Sequence, residues 1–323
     1  MSFSSADVWL LVSVGVLAFL VAGALAPLEA LGWWAGWFRE VDAPGEVSQG
    51  EVSPSSAAHY LVFLAGIDSI SGDAYAPHEV AFMARLKERL PDTEIVTLYP
   101  YSVTNRPLTG ERTFARVWRW VLKRKLSGGA AVGFLINLRN VWQVVVSADR
   151  RYGPVYNEGS AELILRALER QGYVWESGTP VTLLGYSGGG QIACGAASHL
   201  RDLLGAPLRA ISLGGVMSSD PGLLSVEHLY HLYGERDGVQ RLGAIFFPGR
   251  WAVMANSAWN RARARNLITF VPLGPCKHTG AEGYMDADAF LPDGRSYLEG
   301  TLDTIVRIVS STPINGSNSL QKL

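Results

Sequence analysis

Ser187 stands in Gly185-Tyr186-Ser187-Gly188-Gly189-Gly190, after the apolar run Val181–Leu184 and at the start of a helical pattern, Gly188–Leu203. A serine between glycines at a strand-to-helix turn has the context of a nucleophile elbow. Small residues must flank such a serine, because the turn is sharp and strained. The helix start beneath it carries partial positive charge, which favours a developing oxyanion. A phosphate-binding glycine turn is the competing reading. No Lys-Ser or Lys-Thr follows the glycines, which disfavours a nucleotide P-loop.

A serine hydroxyl needs a histidine to take its proton, and the histidine needs a carboxylate to fix its tautomer. In a fold of this kind the chain order is serine, acid, histidine. Asp237 lies in Gly234-Glu235-Arg236-Asp237-Gly238, past the apolar run His228–Tyr233. His278 lies in Pro275-Cys276-Lys277-His278-Thr279-Gly280, past Leu267–Leu273. Glu235 and Asp220 also follow strand patterns and remain open as acids. His59 and His78 precede the serine, His199 sits in the helix after it, and His228 and His231 flank or sit within a strand. Each of these five reads as a surface or packing residue. His228 and His231 are three apart on a strand, which points them to opposite faces, so a metal pair is not expected.

These side chains can meet only if the intervening elements bring them to one rim. Tyr60–Ala65, Glu94–Tyr99, Val181–Leu184, Leu208–Leu213, His228–Tyr233 and Leu267–Leu273 have strand character. His78–Leu90, Glu158–Gln171, Gly188–Leu203 and Tyr297–Val309 carry helical spacing. Alternating strands and helices call for an α/β fold with a mostly parallel sheet covered by helices on both faces. Ligands on such sheets sit beyond the carboxyl ends of the strands.

From Tyr60 to Val309 the chain resembles the α/β-hydrolase superfamily: the elbow, the Gly-x-x-Asp loop and the late His-x-Gly loop fall in that family's order. The resemblance implies Ser187 as nucleophile, His278 as base and Asp237 as orienting acid. It also implies an oxyanion hole from the backbone amides of Gly188 and Ile67. Many members carry His-Gly after their first conserved strand, where this chain has Ala65-Gly66-Ile67. The activity implied is that of a serine hydrolase, esterase- or lipase-like, working through an acyl-serine intermediate without a cofactor or metal. Thioester and amide substrates stay open.

Two further regions suggest where such an enzyme would work. Residues 8–26 carry no charge, and nineteen residues at about 1.5 Å each nearly match a bilayer core. Trp33, Trp34 and Trp37 follow and read as an interfacial belt. The expectation is a retained single-pass anchor; a cleaved signal peptide is the rival, with Ala24-Leu25-Ala26 as its cleavage pattern. Residues 42–58 read as a linker, 59–311 as the catalytic domain and 312–323 as a tail. Residues 101–157 are too long for a plain connection and read as a helical lid. Within them Arg112–Leu126 sets a basic stripe (Arg112, Arg116, Arg119, Lys123) beside an aromatic one, the pattern of an interfacial helix. From Tyr101 to Arg151 ten basic residues face two acidic ones. Ala130–Ala148 is apolar but holds Arg139 and Asn140, so it reads as lid or pocket wall, not a second span. The expected partners are a small-molecule or lipid substrate and membrane lipids, touched by the anchor and the basic lid. Nucleic acid is not expected from a net charge of −1. Basic residues after the anchor place the catalytic domain on the cytoplasmic side. Cys194 and Cys276 fit no disulfide scaffold or zinc pattern and read as small buried residues. The rival function is a non-catalytic binding or assembly subunit of a membrane complex on the same fold.

Overall fold

The computed structural model describes residues 5–36, 55–69, 75–102 and 130–311. Six strands form one all-parallel sheet: β1 (His59–Leu64), β2 (Thr93–Leu98), β3 (Val181–Tyr186), β4 (Leu208–Leu213), β5 (His228–Tyr233) and β6 (Ile268–Pro272). Their order is β2-β1-β3-β4-β5-β6. The chain winds outward from β1 to β2, then returns to the other side of β1 and continues through β6. The order therefore reverses between β1 and β3, and the crevice at such a point is where open parallel sheets hold ligands.

Both faces of the sheet are covered, as the unbroken apolar strands require. Tyr60, Val62 and Leu64 of β1 enter one core, while Leu61 and Phe63 enter the other. This alternation is the period-two geometry of a strand. The first core is closed by α4 (Ala130–Ala148), α5 (Gly153–Arg170) and α6 (Gly189–Leu204). The second is closed by α3 (Pro77–Arg89) and α9 (Tyr297–Ser310). Two short helices, α7 (Leu242–Phe246) and α8 (Ala258–Ala264), lie between β5 and β6. Cys194 and Cys276 are free and buried.

The N-terminal region forms α1 (Ser5–Leu25) and α2 (Pro27–Trp34), joined through a helical Ala26. Among the described residues one helical stretch, Gly15–Trp34, is long and apolar enough to cross a membrane, with a mean hydropathy of 1.8. The structure corrects part of the expectation for the tryptophans after it. Trp33 is buried in the first core, with Ala26 and Ala30, while Trp34 is exposed; Trp37 lies outside the described residues. The aromatic cluster is thus split, because one indole is consumed by packing α2 on the domain. The core accordingly reaches back before residue 59. The C-terminal half of α1 rests on α4: Phe19 meets Trp142 at 4.7 Å between ring centroids, and Gln143 donates to the Ala26 carbonyl at 3.4 Å. The basic stripe read at Arg112–Leu126, most of the linker and the 312–323 tail lie outside the described residues.

Candidate active site

Ser187 is held between β3 and α6 by its own backbone. Its φ is +53°, a left-handed conformation that costs a non-glycine residue on the order of 1–3 kcal/mol. The strain is held in place from both sides: the Ser187 N–H donates to the Leu213 carbonyl at 3.0 Å, and its carbonyl accepts from Gly190 and Val216. The turn explains its glycines. A Cβ on Gly185 would strike the Gly189 carbonyl, and one on Gly189 would strike the Leu64 carbonyl. The elbow thus sits directly on the carboxyl end of β1, at the point where the strand order reverses.

The structure brings the three sequence-predicted side chains together. Ser187 Oγ lies 2.8 Å from His278 Nε2, and His278 Nδ1 lies 2.8 Å from Asp237 Oδ2. Ser187 and Asp237 are buried, and the His278 side chain retains 13% exposure, enough to reach solvent from the rim. His278 is also shaped by neighbours that the sequence did not single out. The Tyr186 ring stacks on the imidazole at 5.6 Å, and the Tyr186 hydroxyl donates to the His278 carbonyl at 2.9 Å.

Asp237 is supplied with four donors. Oδ2 accepts from Tyr284 Oη at 2.6 Å as well as facing His278, and Oδ1 accepts from the backbone N–H groups of Val239 and Gln240. Burial pushes the carboxyl up, but the bond to and charge of His278, with the Tyr284 hydroxyl and the Gln240 N–H, outweigh it and hold it below its ordinary value. Burial and the neighbouring Asp237 push Tyr284 far above an ordinary phenol, so it stays a donor. Tyr284 in turn accepts from Gly234 N–H at 2.8 Å.

The other candidates are engaged elsewhere. Asp220 caps the turn Pro221–Leu224 through Gly222 N–H and accepts from Asn157 and Gln191. Glu235 is exposed. His59 pairs with Thr182, His228 with Thr269, and His231 with Ser212 and Gln240. Burial and then Arg250 lower His231 to about 4, so it packs as a neutral ring. No group of metal-ligating side chains occurs among the described residues.

Gly188 and Ile67 are neighbours: the space over Gly188 is bounded by the side chains of Ile67, Val144 and Tyr101. The loop carrying Ile67 is clamped from two helices. Glu79, buried on α3, accepts from Gly66 N–H at 2.8 Å and also from the Ser69 hydroxyl and Ala76 N–H. Burial, and next the charge of Asp68, raise the Glu79 carboxyl to about 7. Asn140, buried on α4, donates to the carbonyls of Ile67 at 2.8 Å and Ser69 at 3.0 Å, while its own oxygen accepts from Tyr99 at 2.8 Å. The presence of Asn140 within an apolar helix was visible in the sequence; its partners were not.

This arrangement can transfer a proton from a hydroxyl to an imidazole whose far nitrogen faces a carboxylate. It can do so beside a helix start and a braced loop of backbone amides. No family model matches the chain, and no curated protein matches it.

Proposed function

We propose that the chain is a membrane-anchored serine hydrolase of the α/β-hydrolase type, cleaving an ester-type bond of an amphiphilic or lipidic substrate. The observation that carries this reading is the unbroken hydrogen-bond chain from Ser187 through His278 to Asp237, starting at a strained serine. Ser187 Oγ attacks the substrate carbonyl carbon while His278 Nε2 takes its proton. The tetrahedral oxyanion is received by the N–H groups of Gly188 and Ile67. Collapse expels the alcohol, which takes the proton from His278, and leaves an acyl-serine. Water then repeats the sequence, releasing the acid and restoring the serine. Asp237 stays ionised throughout and steadies the imidazolium.

The lipidic part of the reading rests on position. Val144 of α4 borders Gly188, and Trp142 and Gln143 of the same helix hold α1 and Ala26. A helix that touches the elbow on one side and the apolar N-terminal helix on the other is suited to a lid. The packing of α1 on the domain also supports a retained helix over a cleaved signal, since cleavage after Ala26 would remove Phe19 and Gly23 and uncover Trp142. The direct test is hydrolysis of a series of acyl esters of increasing chain length by the full chain in detergent micelles. Activity that vanishes in Ser187→Ala is expected; a Ser187→Ala protein with undiminished turnover overturns the reading.

A further inference from the structure

Residues 239–266, between β5 and β6, contribute nothing to the Ser187–His278–Asp237 chain beyond the backbone N–H groups of Val239 and Gln240. Their surface is unusual. Ile245, Phe246, Trp251, Val253 and Met254 are exposed by 60%, 68%, 47%, 79% and 46%. Apolar side chains gathered in this way on a surface mark a contact site. The exposure is built into the loop. Asn260 Nδ2 donates to the carbonyls of Trp251 and Met254, and Trp251 Nε1 donates to the Ala244 carbonyl at 2.8 Å. The apolar tip is therefore held outward by its own hydrogen bonds.

The charge of the loop has one sign. From Gly238 to Asn266 the sequence contains five arginines and no acid. Arg241, Arg261, Arg263 and Arg265 are exposed, and none of them forms an ion pair among the described residues. The loop is rooted at the rim of the site: Trp259 N–H donates to Ser219 Oγ, and Arg250 donates to the Met217 carbonyl, next to the Val216 that bonds Ser187. A braced apolar tip on a loop whose only charges are basic suits a surface that is apolar just below a layer of negative charge. A protein partner would need a matching row of acids and an apolar cleft together; an anionic bilayer offers both at once.

We propose that residues 239–266 dock on an anionic lipid surface, with Phe246 and Val253 entering the headgroup layer and the arginines pairing with lipid phosphates. The proposal goes beyond hydrolysis and does not require Ser187 to be a nucleophile.

The test uses the full chain reconstituted in vesicles, with an environment-sensitive fluorophore on Val253→Cys and, separately, on Phe246→Cys. A label on Leu203→Cys, exposed on α6 near the opposite ends of the strands, serves as the aqueous reference. The native cysteines are buried. In vesicles containing phosphatidylglycerol the labels at 246 and 253 are expected to shift to the blue and to be quenched by spin-labelled lipid, while that at 203 is not. In Arg241→Gln/Arg261→Gln, which removes the arginines beside the 242–246 helix and beside Asn260, the quenching is expected to fall about tenfold or more, and added salt should have the same direction of effect. Labels at 246 and 253 as aqueous as that at 203 would overturn the proposal. So would equal quenching in neutral phosphatidylcholine vesicles with no dependence on the arginines, or shielding accompanied by cross-links between copies of the chain.

Discussion

Asp237 is a fully buried carboxylate with donors on both oxygens, and that environment fixes what its replacement should do. Asp237→Asn keeps the volume but reverses one hydrogen-bonding edge, so His278 would settle in the wrong tautomer. A fall in kcat of about 10³–10⁴-fold is expected with the fold retained. Tyr284→Phe removes one donor to Asp237 and the acceptor of Gly234 N–H. Its expected effect is smaller, about tenfold in kcat, together with roughly 1–3 kcal/mol of stability, read from turnover and urea denaturation. Glu79 offers a separate check through pH. Its carboxyl is raised from 4.5 to about 7, so the folded state holds the proton more tightly than the unfolded chain. The stability that this group contributes is complete below about pH 4.5 and is lost as pH rises through about 7. Glu79→Gln should remove that part of the slope, on the order of a few kcal/mol across the window, in urea denaturation at a series of pH values. At this scale Ser187, Asp237 and His278 were legible because glycine punctuation and strand ends mark where reactive side chains can stand. The roles of Tyr284 and Glu79 and the partners of Asn140 were not, because a buried hydrogen bond between residues far apart in sequence leaves no local spacing to read.

Among the elements, β1 through β6 fall within a few residues of their sequence readings, since buried parallel strands are short apolar runs with clear punctuation. The helix α4 was harder. Its residues are apolar almost throughout, so periodicity alone could not say which face meets the core. The structure resolves this through Asn140, which turns a polar side chain inward to hold the 66–69 loop. Asn140→Ala should therefore act on chemistry through the loop. If Ile67 N–H receives the oxyanion as proposed, kcat is expected to fall roughly 10–100-fold while KM changes little, because a displaced amide would weaken that contact alone. Equal loss in KM and kcat, or none, would show that the loop is held without it. The buried polar set of Ser147, Asn157, Gln191 and Asp220 ties α4, α5 and α6 to the loop after β4, which explains why Asp220 is occupied away from His278.

For the whole molecule, the N-terminal helices are continuous with the domain: α2 lends Trp33 to the core and α1 lies on Trp142. The apolar N-terminal helix was legible as an uncharged stretch, but its docking was not, because tryptophans suit a membrane interface and a protein interior alike. A retained anchor predicts that the full chain stays with membranes after alkaline carbonate washing; release into the supernatant would contradict it. The claim on which the rest depends is that Ser187 is a nucleophile activated by His278. It is tested most directly by treating the full chain with a fluorophosphonate probe and locating the adduct by peptide mass spectrometry. The account predicts a single adduct on Ser187, formed by the folded protein and lost in His278→Ala and after denaturation. A folded protein that leaves Ser187 unmodified, or one whose labelling is unchanged by His278→Ala, would contradict it and leave the non-catalytic subunit as the better reading.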